Sequence, residues 1–162
     1  MTQFSPTHRN AVSYIDKSRE FYLNKGFGNP YRWATHTEAP IAMLNKPLAD
    51  CTFAIVTTSA PNEEGGSNRK IWSAPSDAIP EELFTHHLSW HKTATHTDDL
   101  GSFLPLAHLQ SAAEDGRIGA VGRNFYGIPT TFSQRQTKIK DAPAVLDQVH
   151  RDQVDVVILI PL

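Results

Sequence analysis

Histidine and aspartate residues are concentrated in one stretch of the chain. Residues 86–99 read HHLSWHKTATHTDD and hold four of the eight histidines and two aspartates. Neutral imidazole and carboxylate are ligands that suit zinc, iron or manganese. A histidine beside a carboxylate also suits general acid and base catalysis near neutral pH. Three interpretations are open: a metal site, a metal-free substrate or proton-transfer site, and a polar loop whose histidines bond to the backbone.

The spacing of these histidines does not favour the metal site. His87 and His91 would share one face of a helix, but threonines alternate at positions 93, 95 and 97, which disfavours a helix. The chain has no HExxH motif, and its single cysteine excludes a cysteine-rich zinc site. We therefore predict no metal ion; His87, His91 and His96 are the residues that would hold one.

Other catalytic motifs are missing or weak. The chain contains no GxGxxG, no phosphate-loop GK[ST] ending and no GxSxG nucleophile elbow. Cys51 opens a predicted strand at its amino end, which favours a small buried residue over a nucleophile. Arg32, between Tyr31 and Trp33, is a candidate clamp for a substrate carboxylate. Alternatively, the two aromatic residues pack onto the sheet and Arg32 covers them.

The elements that must position these residues alternate between helix and strand. Apolar and β-branched runs predict buried strands at 51–58 and 154–160, and 119–128 suggests a further short strand and turn. Periodicity and glycine stops predict helices at 12–25, 104–115 and 139–152. Residues 59–70 are predicted as a turn region, 71–83 as irregular, and 86–99 as part strand and part loop. This order predicts one α/β domain over residues 1–162, with helices on both sides of a central, mostly parallel sheet, as in Rossmann-like and flavodoxin-like three-layer folds.

Parallel sheets of this kind bind ligands beyond the carboxyl ends of their strands. Those ends are Thr57, Thr58 and Ser59 for the first strand, and the residue that would follow Leu162 for the last strand. The histidine-rich stretch precedes a helix that we expect to return to the last strand. The predicted substrate pocket is therefore lined by His91, His96, Asp98, Asp99, Thr57, Thr58, Ser59 and Arg32.

Composition narrows the class of protein. Apolar residues make up 40% of the 162 residues and charged residues 20%, with a formal net charge of -2. This balance gives no basic surplus for nucleic acid or an anionic membrane. No apolar run is long enough to span a membrane, and the amino terminus lacks the apolar core of a signal peptide. We expect a cytoplasmic protein.

Several stretches together resemble the glycine/sarcosine/betaine/D-proline reductase selenoprotein B family. They are PYRW and EAPIAMLNKPLADCTFAIVTTSAP, then TDDLGSFLPLAHLQSAAEDGRIGAVGRNFYG, and finally VDVVILIPL. Their order and spacing also match, and the resemblance runs from about Tyr14 to Leu162. In that family the last strand leads directly into a selenocysteine or cysteine, so the resemblance implies a reactive residue after Leu162 and a missing carboxyl-terminal part of the domain.

The resemblance implies reductive cleavage of a C–N bond in an amino acid or N-methyl amino acid. A selenol is largely ionised at neutral pH, whereas a cysteine with a pKa of about 8.5 is not. The implied partners are an amino-acid-like substrate and a thiol reductant or redox protein, and the chain without its reactive residue would be inactive. A selenocysteine codon read as stop, or an omitted tail, would each explain the ending at Leu162.

Two other functions are alternatives. One is a metal-dependent hydrolase or lyase using residues 86–99, and the other is a non-catalytic binding subunit. We also expect a homo-oligomer, because a last strand without its cover would leave an apolar edge.

Overall fold

The computed structural model describes residues 20–26, 37–38, 42–88, 96–131 and 133–162. The chain divides into two compact units, Met1–Ile41 and Ala42–Leu162. In the first unit, residues 20–24 are helical and the helix stops at Gly26, whose φ of +80° favours glycine. The carboxyl end of the helix predicted at 12–25 is thus confirmed; residues 12–19 lie outside the described residues. One domain over residues 1–162 stays a prediction.

The second unit is built around one buried strand, β1 (Thr52–Thr57). Its apolar, β-branched sequence suits burial on both faces. Two strands lie on one side of β1, and both are parallel to it. The first half of β1 pairs with β3 (Ala120–Val121), and the second half pairs with β4 (Asn124–Gly127). On the other side, β5 (Val156–Ile160) is parallel to β1 in a register that runs from Phe53 and Val156 to Thr57 and Ile160. The strand β2 (Trp72–Pro75) is antiparallel to β4.

In the described part of the chain, three α-helices of six or more residues connect these strands. They are α1 (Glu63–Asn68), α2 (Leu106–Glu114) and α3 (Ala142–Arg151). A π-helical turn (Thr137–Asp141) and the α-helical residues Gln134–Gln136 lead into α3. Short 3-10 helices occur at Leu48–Asp50 and Leu100–Ser102. Gly116 ends the α2 segment with a φ of +68°, as the sequence predicted.

The core lies on both faces of β1. Ala54 and Val56 pack in one cluster with Val145 and Val149 of α3. Ile55 packs in another cluster with Leu106 of α2 and with Phe103 and Leu104 just before it. The alternation of side chains along a strand therefore places α2 and α3 against opposite faces of the sheet.

The α/β prediction is confirmed: the second unit is an open, mixed five-stranded sheet with helices. The predicted turn region, however, contains α1, because the Asn62 side chain accepts from Gly65 N–H and caps the helix. The region predicted as irregular contains β2. This strand ends at Pro75. Among the residues that the structure describes, β2 pairs with β4 only, and an edge strand of this kind tolerates proline.

Two predictions about the last strand are wrong: that residues 154–160 form a buried strand, and that the helix after residues 86–99 returns to it. Among the described residues β5 pairs with β1 only, so it is an edge strand of the described sheet, and Leu159 is 70% exposed. The helix α2 leads into β3 rather than back to the last strand. The sequence pattern does not distinguish an edge strand from a central strand, because an apolar run occurs in both.

Candidate functional site

The carboxyl ends of β1 and β5 meet at one edge of the sheet. The main-chain N–H of Leu162 donates to Thr58 Oγ1 at 2.9 Å, and the Thr58 hydroxyl lies 3.5 Å from the Leu162 carbonyl oxygen. Because β1 and β5 are parallel and in register, the last residue of the chain lies beside the first residue after β1. We call this region, Thr57–Ser59 with Leu162, the carboxyl edge.

The hydroxyls beside Thr58 are buried and paired. Thr57 Oγ1 and Ser59 Oγ lie 2.9 Å apart, and the Ser59 N–H donates to Thr57 Oγ1 at 3.2 Å. Trp72 Nε1 donates to the Ser59 carbonyl at 3.3 Å, which brings β2 to the same edge. The indole passes so close to Gly127 that a Cβ there would overlap it. These bonds fix the backbone around Thr58, which is half-buried and lies at the surface of the edge.

Beyond Ala60 the chain forms one wall of an acidic cleft of about 520 Å³. Ala60 and Phe84 hold its walls together by exchanging two backbone hydrogen bonds of 2.8 and 2.9 Å, and Thr85 and Thr97 share a hydroxyl bond of 2.8 Å. The acidic side chains that line the cleft are Glu63, Glu81, Glu82 and Asp98. Carboxylates concentrated in a cleft favour a positively charged group there.

The structure places the predicted pocket residues in different settings. Asp98 lines the acidic cleft, and its Oδ2 lies 3.4 Å from His96 Nδ1, with both side chains strongly exposed. Asp99 is an N-cap, because its Oδ1 accepts from Gly101 N–H at 3.0 Å. No described hydrogen bond joins Asp98 or His96 to Thr58. His91 and Arg32 lie outside the described residues.

Of the metal-ligand candidates, His87 and His96 are described, and His91 lies outside the described residues. His87 stacks on the ring of Phe84, with centroids 5.3 Å apart and planes 4° from parallel. Within the described part of the chain, no three histidine, cysteine, aspartate or glutamate side chains are grouped closely enough to hold a metal ion. Cys51 is buried at the amino end of β1, with its Sγ 3.3 Å from the Pro47 carbonyl oxygen, as expected for a structural cysteine.

A polar network that the sequence did not reveal lies on the α3 face of the sheet. The buried Tyr126 donates to Asp152 Oδ2 at 2.5 Å, and Asn124 Nδ2 donates to the same oxygen at 2.8 Å. These bonds, first that from Tyr126 and then that from Asn124, lower the pKa of the Asp152 carboxyl. Burial, and then the bond to Asp152, raise the pKa of Tyr126. No motif joins residues so far apart in the chain, so only the fold brings them together.

No protein-family model, curated protein or solved structure matches this chain. The resemblance to the selenoprotein B family therefore stays a prediction. No helix among the described residues is long and apolar enough to cross a membrane.

Proposed function

We propose that this chain belongs to a selenoprotein B-like reductase domain that cleaves a C–N bond of an amino acid or N-methyl amino acid. The observation that carries the proposal is the bond between the Leu162 N–H and Thr58 Oγ1. A selenocysteine or cysteine that followed Leu162 would emerge at the carboxyl edge, where parallel α/β sheets bind their ligands. The proposal includes a three-layer, Rossmann-like or flavodoxin-like sheet in the whole domain.

The reaction follows from the nucleophile. A selenolate, or a thiolate, attacks the substrate carbon, and its electron pair forms the new Se–C bond. The C–N bond breaks with its electron pair on nitrogen, and the amine leaves and gains a proton. A thiol then attacks the selenium, the carbon fragment leaves with a proton, and a second thiol reduces the resulting Se–S bond. The electrons therefore come from a dithiol reductant or a redox partner protein, which is oxidised to a disulfide.

The surroundings of the carboxyl edge suit an amino-acid-like substrate. The acidic cleft begins at Pro61, two residues beyond Ser59, and offers carboxylates to an ammonium or N-methylammonium group. Asp98 is the predicted pocket residue best placed for this contact. Thr58 lies at the edge itself, where its hydroxyl is bonded to Leu162.

The proposal extends to the cellular setting. We place the protein in the cytoplasm, where thiol reductants are abundant. We also propose a homo-oligomer, because the 70% exposed Leu159 on β5 is an apolar residue that a second copy would cover. Neither nucleic acid nor membrane is a proposed partner.

A cysteine added directly after Leu162 tests the proposal. It is made in a Cys51→Ser background, so that the protein has one thiol, and its alkylation is followed over a range of pH. We expect slower alkylation in the presence of glycine, sarcosine, betaine or D-proline. With dithiol present, we expect release of amine from the first three compounds and ring opening of D-proline.

The matched control carries the same cysteine after a short glycine-serine spacer, beyond the reach of Thr58. We expect an ordinary thiol that these compounds do not protect. Equal alkylation and equal lack of protection in both proteins would refute the proposed site.

A further inference from the structure

A second polar groove lies away from the carboxyl edge. Asp152 stands between the end of α3 and the start of β5, on the side of the sheet where the parallel strands begin. The groove measures about 320 Å³, which is at the lower end of small-molecule sites. The residues that line it, from β2, β4 and the end of α3, are Ser73, Asn124, Tyr126, Gln148, Arg151 and Asp152. We call it the Asp152 groove.

One part of this groove is rich in hydrogen-bond acceptors. Tyr126 and Asn124 both donate to Asp152 Oδ2, so the second oxygen of an ionised carboxylate takes part in neither bond. Gln148 Oε1 is buried and has no hydrogen-bond partner among the described residues. Buried acceptors of this kind normally find a donor. The carboxyl end of α3 adds the negative end of a helix dipole, which further favours a cation.

A positive charge stands beside these acceptors. Arg151 is exposed, and its Nε donates to the Asp147 carbonyl oxygen at 3.2 Å. A guanidinium has five N–H donors, of which this bond uses one, and its planar shape matches a carboxylate. The groove therefore presents acceptors for an ammonium group and, on the neighbouring Arg151, donors for a carboxylate.

We propose that the Asp152 groove binds a small α-amino acid, with its ammonium group on Asp152 and Gln148 and its carboxylate on Arg151. The site is separate from the carboxyl edge, and the inference holds whether or not the chain carries a redox residue.

Glycine titrated into the full 162-residue chain tests the proposal, with backbone amide signals followed by NMR. We expect saturable shifts at Asn124, Tyr126 and Asp152. Methylamine lacks the carboxylate, acetate lacks the ammonium, and betaine has no N–H donor, so each should bind at least about tenfold more weakly than glycine. Shifts that do not saturate, or that match those with acetate and methylamine, would overturn the proposal.

Two variants localise the site. Arg151→Gln and Asp152→Asn should each raise the dissociation constant for glycine at least about tenfold. Asp147→Asn is the matched control: it removes an exposed carboxylate from the same helix, outside the groove lining, and should leave the affinity unchanged. Because Arg151 is exposed, its variant should fold even if Asp152→Asn does not. Equal affinity in Arg151→Gln and Asp147→Asn would contradict the assignment.

Discussion

Removal of the Tyr126 hydroxyl should destabilise the protein in a pH-dependent way. The ring of Tyr126 is fully buried in the cluster that joins β1 to α3, and Phe would preserve that packing. The lost bond to Asp152 measures 2.5 Å. A hydrogen bond to a charged group contributes about 1.5–3 kcal/mol, but Asp152 is half-buried, so water replaces part of it. We expect Tyr126→Phe to lower the free energy of unfolding by about 1–2 kcal/mol near neutral pH, which corresponds to roughly 2–8 °C in Tm.

The pH dependence follows from the lowered pKa of Asp152. A carboxyl whose folded pKa is depressed contributes stability above its unfolded pKa of about 3.9, and this contribution is lost as the pH falls through the folded value. The hydrogen bond from Tyr126 is the largest cause of the depression, and that from Asn124 is the next. In Tyr126→Phe the folded pKa moves back towards its ordinary value. The stability difference between the two proteins should therefore stay constant from about pH 7 to about pH 5 and shrink as the pH falls below about 4.

Urea unfolding of both proteins, measured at several pH values in this range, is the assay. Asp147→Asn serves as a control for a carboxylate of the same helix whose side chain is not part of the network, and it should change stability by less than about 0.5 kcal/mol. A stability difference for Tyr126→Phe that is absent at neutral pH, or that is constant across the range, would refute the role assigned to the Tyr126–Asp152 bond.

Three further substitutions test the sheet and its edges. Thr58→Val removes the acceptor of the Leu162 N–H and should speed hydrogen exchange of that amide at least tenfold, whereas Thr58→Ser should keep its protection; equal exchange in both variants would contradict the bond. Gly127→Ala drives a Cβ into the Trp72 indole and should cost about 1–3 kcal/mol or more, seen as a lower urea midpoint, and an unchanged midpoint would show that β2 can move away. Asp155→Ala removes the carboxylate whose pKa is lowered first by Lys46, 2.7 Å away, and then by the first N–H of β1, so it should destabilise the protein more at neutral pH than in acid; a loss that is equal at both pH values would count against this.

The sequence predicted the elements with strong local patterns. The strand β1 has an apolar, β-branched run, and α2 has periodic apolar residues with a proline before it and a glycine after it. The helix α1 and the strand β2 escaped prediction because six and four residues are too few for a clear period. The Asn62 cap stabilises α1, and pairing with β4 stabilises β2.

The site was predictable only in part. The rule for parallel sheets placed Thr57, Thr58 and Ser59 at the carboxyl edge, where the structure has them beside Leu162. The contact between Tyr126 and Asp152 joins the end of one helix to a distant strand, and no spacing rule foretells such a pair. The prediction that His96 and Asp99 line a pocket depends only on their position before a helix. In the structure, the Asp99 side chain accepts a hydrogen bond from Gly101 N–H and caps a 3-10 helix.

Our central proposal is that a selenocysteine or cysteine follows Leu162 at the carboxyl edge. The most direct test reads the natural coding sequence immediately beyond the Leu162 codon. We expect a cysteine codon, or the stop codon that can also specify selenocysteine, followed in frame by further coding sequence. An ordinary stop, or a continuation without selenocysteine or cysteine within the next few residues, would contradict the claim.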